Sequence, residues 1–436
     1  MTRSANIRWI TFILFLALIV RLAALVARHE YVPPQSVGAE AGVMASSLVQ
    51  GHGFLSPFPG IHSPSTHLPP LYPMLLAALL KLQTNVLPER AAAPVPGAFV
   101  FYVALAINIA ASILLPWLAW LFCRAAHFPE AVSRLTALLL CICPEAMRAV
   151  GLIWDEALFV TSVAALLLLL LRDAQRPFRW LLPLRSGVAA GLLSLLNPAF
   201  LPSAVVAWLA LNFRSFDQTS PFQHTRRTLA ALLLFMASAF VIQLPWHLRN
   251  WVALDPPAPV FIRGNFWLEV WTNLNPLMTI RTPDGPRLMP VHPWQGTDPA
   301  TQSASLTEQQ YFALCRSRAL ASPEFQQPRA FLTYVGRNID AFWLGLAEAQ
   351  RWQRNPLLFF FAQGFPALVG LLGIFLARRQ ISAPVFRMVV ALLVVFPLPY
   401  YLTGGAARYR HPLDILLYVG IAWFLKSLAY KRKSAP

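Results

Sequence analysis

Glu40 opens the stretch EAGVMASSL (40–48), in which Glu40, Met44, Ser47 and Leu48 share one face if the segment is helical. An acid on an otherwise apolar stripe points toward a protein interior, and burial there is expected to raise its proton affinity toward that of a general base. A second acidic spot follows Trp154, where Asp155 and Glu156 stand at the start of a strongly apolar run. Acids at such a position ordinarily cap a helix and complement its dipole. With only 18 Asp and Glu in 436 residues, however, each acid beside an apolar run is a candidate for chemistry. Positive charge is available from Arg249 (PWHLRN, 245–250), Arg263 (FIRGN, 261–265), and Arg408 and Arg410 (RYRHP, 408–412). Guanidinium forks match phosphate oxygens, whereas a single arginine beside an apolar run more ordinarily snorkels to lipid headgroups.

The elements that must position these residues are set by hydropathy. The chain is 57% hydrophobic and 12% charged, with apolar runs such as 157–171 and 356–377. Runs near the ~20 residues that a bilayer core requires indicate a polytopic helical membrane protein whose partners include membrane lipids. Spans are expected near 7–27, 98–122, 131–147, 155–171, 179–196, 198–214, 227–245, 356–377, 384–403 and 412–429. The first is expected to be retained, because no small-residue cleavage pattern follows it. A further apolar piece, 68–83, is short and crowded by Pro69, Pro70 and Pro73. Treating it as non-crossing puts the basic clusters at the N-terminus and at 124–134, 172–179, 212–227, 377–380 and 430–436 on the cytoplasmic side, as the positive-inside rule requires.

The expected fold is therefore an all-α polytopic membrane protein with about ten transmembrane helices. Its first outer loop carries juxtamembrane helices, and a large extracytoplasmic loop follows later. Residues 1–245 form a transmembrane bundle that includes the first outer loop, 28–97; residues 246–355 form the large loop; residues 356–436 form the C-terminal helices and a basic cytoplasmic tail. Glu40, Asp155 and all four arginines fall in or beside the outward regions. The net charge of +17 is scattered and accompanied by no nucleic-acid motif, so no nucleic-acid partner is expected. Cys141 and Cys143 lie two apart, Cys123 and Cys315 stand alone, and no metal-ligand spacing is visible; all four read as structural.

The loop GHGFLSPFPGIHSPSTHLPPLYP (51–73) holds nine Pro or Gly and three His, with no Asp, Glu, Lys or Arg. Taken in order, Glu40, Ala45–Leu48, GHGF, the Pro-rich turn, LPPLYP, WDE, PWHLRN, FIRGNFWLE and RYRHP resemble the GT-C superfamily of polytopic glycosyltransferases. The resemblance is to the branch of protein O-mannosyltransferases and lipid A aminoarabinose transferases that uses polyprenyl-phosphate sugars. Many relatives carry Asp with an adjacent acid where this chain has Gly-Ala-Glu-Ala, and no soluble C-terminal domain is expected.

The resemblance implies inverting transfer from a polyprenyl-phosphate-linked sugar to a lipid, glycan or protein acceptor. Glu40 and Asp155 are then the catalytic acids, and Arg249, Arg263, Arg408 and Arg410 bind the donor phosphate. His67, Tyr72 and Glu156 contribute to substrate binding, against a stiff aromatic wall at the bilayer interface. No cofactor is required, although Glu40 with Asp155 would admit a divalent metal. The implied location is the bacterial inner membrane, with the site facing the periplasm or cell exterior. Two alternatives stand beside this: a polysaccharide ligase or polymerase using a diphosphate-linked glycan, and a lipid or sugar flippase, which would place ionisable groups near midmembrane.

Overall fold

The computed structural model describes residues 3–32, 37–86, 97–212, 221–255, 257, 262–274, 278–282, 285–289, 292–295, 298, 306–351 and 354–433. The apolar segments expected to span are mainly helical where described, and among the described residues seven helices are long and apolar enough to cross a membrane: Ser4–Ala27, Ala98–Ala125, Glu156–Ala174, Thr225–Ala253, Pro356–Ala377, Ala383–Thr403 and Ala407–Ala429. The remaining three of the expected ten are shorter. The 131–147 segment divides into α5 (Glu130–Cys141) and α6 (Pro144–Gly151), while α8 (Leu181–Ser194) and α9 (Leu201–Asn212) stop at 14 and 12 residues. Prolines explain two of these limits, since Pro144 and Pro198 cannot donate the backbone bond that would carry a helix through them. The expected all-α architecture also gains a hairpin, Met278–Thr282 paired antiparallel with Gly285–Met289. The 68–83 segment forms α3 (Leu71–Val86), only 16 residues long and packed on α2 (Ala39–Val49).

A helix broken in an apolar bundle leaves carbonyls without partners, a cost that must be offset locally. Arg21, within α1 (Arg3–Ala27) and fully buried, meets this need. Its guanidinium donates to the carbonyls of Leu140 (3.0 Å) and Cys141 at the end of α5, and its Nε to Ser112 Oγ (2.8 Å) on α4 (Ala98–Ala125). A cation at a helix C-terminus also complements the dipole. One charge thereby ties α1, α4 and the α5–α6 break together.

Contacts between the connecting segments fix which helix ends lie together. Gln175 Nε2 donates to the Ala125 carbonyl (2.6 Å), Arg227 lies over the Phe178 ring (3.9 Å), Arg387 bonds the Ala210 carbonyl (3.3 Å) and Phe128 packs on Trp423. The basic turns thus collect at one end of the bundle. The first loop, the turn before α7 (Glu156–Ala174), the 262–274 segment and residues 404–411 meet at the other end.

At that second end the Pro-rich loop is held by two charged side chains from distant segments. Glu308 is fully buried; its carboxylate accepts from Ser65 Oγ (2.7 Å) and the Thr66 amide (2.6 Å), and its own amide donates to Ser63 Oγ (2.8 Å). Arg249, in α10 (Pro221–Ala253), donates to the carbonyls of Ser65 and Phe54, both at 2.7 Å, and lies 4.9 Å from the centre of the Trp246 ring. The Gly264 amide closes the arrangement on the Thr66 carbonyl (2.8 Å).

Two stability effects are expected. Arg21→Ala should destabilise the protein by about 2–4 kcal/mol, since each orphaned buried carbonyl costs roughly 1–3 kcal/mol, and Arg21→Lys should recover only part of the loss in a detergent unfolding assay. Glu308→Ala should cost roughly 1.5–3 kcal/mol and open the 51–70 loop to limited proteolysis; an unchanged cleavage pattern would show that the loop is held without it.

Candidate active site

The chain enters α2 through two left-handed residues, Gly38 (φ 78) and Ala39 (φ 43). A Cβ on Gly38 would lie 2.8 Å from Leu76 Cδ1 on α3, so this entry demands glycine both for its conformation and for the close approach of α3. Glu40 follows in the first turn. Met44 is buried on the same face, and Leu48 packs with Phe54, Trp246 and Ile262, so the amphipathic register read from the sequence holds.

Glu40 Oε1 lies 3.3 Å from His67 Nε2 and 3.7 Å from His292 Nδ1. Burial pushes the Glu40 carboxyl up, but the charge and hydrogen bonding of His67, then the charges of His292 and Arg263, bring it down to about 2. The expected rise is thus reversed, because two imidazoles and a guanidinium outweigh desolvation. His67 is buried at the base of the Pro-rich loop, with its ring edge-on to Phe58; its Nε2 faces Glu40, and its Nδ1 has no hydrogen-bond partner among the described residues. His292 is lowered below the ordinary histidine range, chiefly by burial.

Arg263 joins this group to the second acid. Its Nε donates to the His67 carbonyl (3.2 Å) and its guanidinium to Glu269 Oε1 (3.0 Å), an oxygen that Asn265 also binds (2.7 Å). The charge of Arg263 acts on both Glu40 and Asp155. Asp155 occupies the N-cap of α7, yet its side chain makes no capping hydrogen bond. Burial raises it to about 6, with the Glu156 charge acting in the same direction and Arg263 and Arg408 opposing. The Tyr72 hydroxyl, on α3, is buried without a partner among the described residues; burial and the Asp155 charge push the phenol above its usual range. Glu156 receives a guanidinium bond from Arg148, which also donates to Glu145 (2.7 Å).

The four arginines divide into two pairs. Arg263 and Arg408 remain part-exposed beside the acids; Arg408 lies 5.3 Å from the centre of the Trp154 ring and donates to the Tyr409 hydroxyl (2.8 Å). Arg249 is engaged with loop carbonyls as described above. Arg410 is buried and donates to the carbonyls of Phe342 (3.3 Å), Trp343 (2.8 Å) and Gln363 (3.0 Å), with Asp414 at 3.5 Å. Glu40, Asp155, Arg263, Arg408 and His292 are each half-buried, and their charges act on one another: Arg263 on Glu40, Asp155 and His292, and Arg408 on Asp155.

Sequence reasoning missed His292, Glu269 and Glu308. The loop that carries them has no periodicity to mark an inward face. Their only signal is that a titratable residue stands among aromatics, as His292 does in HPW.

No protein-family model matches the chain, and no curated protein matches it in sequence. Solved structures do match. Over 97% of its length the chain superposes on AglB, the oligosaccharyltransferase of Archaeoglobus fulgidus, solved with an inhibitory peptide and a dolichol-phosphate, at TM-score 0.55 and 14% identity. The apo form of that enzyme gives the same TM-score and identity. The chain spans about half the length of these structures, 50% and 51%. ArnT from Cupriavidus metallidurans bound to undecaprenyl phosphate is matched over 98% of this chain and 79% of that one, at 12% identity and a TM-score of 0.35, too low to support an argument. The protein is a polytopic helical membrane protein whose fold is similar to that of the Archaeoglobus fulgidus oligosaccharyltransferase AglB.

Proposed function

We propose that this protein transfers a sugar, with inversion, from a polyprenyl-phosphate donor to a lipid, glycan or protein acceptor at the membrane surface. The observation that carries the reading is that the charge of Arg263 acts on both Glu40 and Asp155, which come from two separate connecting segments, while the charge of Arg408 also acts on Asp155. The shared fold with an enzyme solved with a dolichol-phosphate supports a lipid-phosphate substrate. The site lies opposite the basic turns, and the positive-inside bias then directs it to the periplasm or exterior of a bacterial inner membrane.

In the proposed reaction an acceptor oxygen attacks the anomeric carbon as the bond to the phosphate oxygen breaks. The leaving phosphate takes the bonding electrons, and Arg263 and Arg408 offset its charge through charge-assisted hydrogen bonds. Glu40 takes the acceptor proton. Its low proton affinity does not prevent this, because an attacking hydroxyl becomes a far stronger acid once bonded to carbon. Asp155, ionised above about pH 6, orients the acceptor and balances the two arginines. The buried His67 Nδ1 and Tyr72 hydroxyl, which have no partner among the described residues, suit sugar hydroxyls, since buried polar groups ordinarily find partners. Glu156 keeps Arg148 in place beside the site. Arg263 already supplies positive charge to both carboxylates, so the reading uses arginine where a divalent ion would otherwise sit.

The direct assay supplies the purified protein with radiolabelled polyprenyl-phosphate hexose and a membrane extract. Glu40→Gln should fold, bind donor and lose ~10²–10⁴ in rate, the usual cost of removing a general base. Wild-type turnover in that variant would rule the mechanism out. Activity should fall as pH drops through about 6, where Asp155 gains its proton. Asp155→Asn should lower the plateau and remove that acid limb, and an unchanged limb would assign it to another group.

The arginines give a separate test. Arg263→Ala and Arg408→Ala should each weaken donor binding by ~1.5–3 kcal/mol, the worth of hydrogen bonds to a charged group. Arg410→Ala should instead lower thermal stability, because its donors are committed to backbone carbonyls. Equal donor affinity in the Arg263 and Arg408 variants and the wild type would return these side chains to lipid-headgroup contact.

A further inference from the structure

A second polar cluster lies inside the bundle, away from Glu40 and Asp155. Cys143 sits in the break between α5 and α6, and His411 and Asp414 lie one turn apart at the start of the last apolar helix. All three are buried, at 1%, 1% and 3% exposure. His411 Nδ1 is 3.0 Å from Asp414 Oδ2, Cys143 Sγ is 3.8 Å from the same oxygen, and one ligand atom from each residue lies within 4.8 Å of the other two. We propose that Cys143, His411 and Asp414 bind a zinc-class divalent cation.

The chemistry of the set favours such an ion. Zinc bonds of about 2.3 Å to sulfur and about 2.0–2.1 Å to nitrogen or oxygen, at tetrahedral angles, separate the ligand atoms by roughly 3.3–3.6 Å. The hydrogen-bonded distances bracket that range, so the ion enters with small side-chain shifts once the cysteine and histidine release their protons to solvent. A thiolate and an imidazole select a borderline or soft metal over magnesium or calcium. The second carboxylate oxygen of Asp414 faces Arg410 Nε at 3.5 Å, and Arg410 is itself held by three carbonyls, so the carboxylate is oriented from outside as ligands of metal sites commonly are. Beside the trio is a cavity large enough for about one water, bordered by Glu145, Gln363 and Tyr418, which provides a fourth position. The site would fasten the helix break to the turn bearing Arg408, three residues before His411. It stands independently of the proposed glycosyl transfer.

The test uses the full chain in detergent, stripped with a chelator and dialysed against Zn²⁺ or Co²⁺. Wild type should retain about one equivalent of zinc per chain, and its cobalt form should display thiolate-to-metal charge-transfer absorption. Cys143→Ser should abolish the band and weaken zinc retention at least ~10-fold, and Asp414→Asn should weaken retention by a similar factor. Cys315→Ser, whose thiol lies in a separate cluster with Phe58 and Tyr311, should leave both signals intact. A wild type without zinc retention or without the band, or a band that survives Cys143→Ser or vanishes in Cys315→Ser, would overturn the proposal. Because the wild-type spectrum decides on its own, poor folding of a variant leaves the test in force.

Discussion

The arrangement of the bundle end that carries Glu40 and Asp155 depends on the buried carboxylate of Glu308. The 51–70 loop has no Asp, Glu, Lys or Arg, and much of its backbone turns away from water, so its polar groups need partners from elsewhere. Glu308 supplies acceptors to Ser65 and Thr66, and Arg249 supplies donors to Ser65 and Phe54. Charged hydrogen bonds of this kind gain strength where water is excluded. With Thr66 held, the His67 carbonyl meets Arg263 and the His67 ring meets Glu40. The loop thus links the contacts of Glu308 and Arg249 to those of Glu40 and Arg263. Its burial raises Glu308 above the ordinary carboxyl range, and the hydrogen bonds oppose that shift only in part.

Glu40 and Asp155 differ because their neighbours differ. Glu40 is surrounded by imidazoles and Arg263, which favour the ionised form more than burial disfavours it, whereas Asp155 shares its surroundings with Glu156 and is raised by burial. Two carboxylates with well-separated proton affinities carry distinct roles near neutral pH. Arg263 maintains the relation between them, since it acts on both and is itself fixed by Glu269 and the His67 carbonyl. Flexible arginine side chains gain positional accuracy from such anchoring, which an electrostatic site requires.

The same principle operates on a larger scale at the α5–α6 break. Pro144 interrupts a segment that hydropathy marks as one span, and Arg21 satisfies the carbonyls so released. That break brings α6 and Arg148 toward Glu156, and it brings Cys143 toward His411 and Asp414. A shortened helix here is therefore a device for delivering polar groups to the bundle interior, stabilised by a single buried cation.

Apolar runs were sufficient to mark a polytopic helical membrane protein, because bilayer thickness acts on composition alone, whereas seven of the ten expected spans are long enough to cross among the described residues. The inward face of Glu40 was legible from helical periodicity, and the ordered landmarks from Glu40 to Arg410 pointed to the fold. Roles among the arginines were not. Arg249 and Arg410 donate to two or more backbone carbonyls each, whereas Arg263 donates to one carbonyl and to Glu269 and Arg408 to the Tyr409 hydroxyl, a division set by which groups lie within reach after folding. Nor could sequence show that His292 and Glu308 approach Glu40 and the Pro-rich loop, or that the Glu40 carboxyl is lowered rather than raised. Proton affinity depends on the balance of desolvation against neighbouring charge, and residues more than two hundred positions apart become neighbours only when the chain is packed.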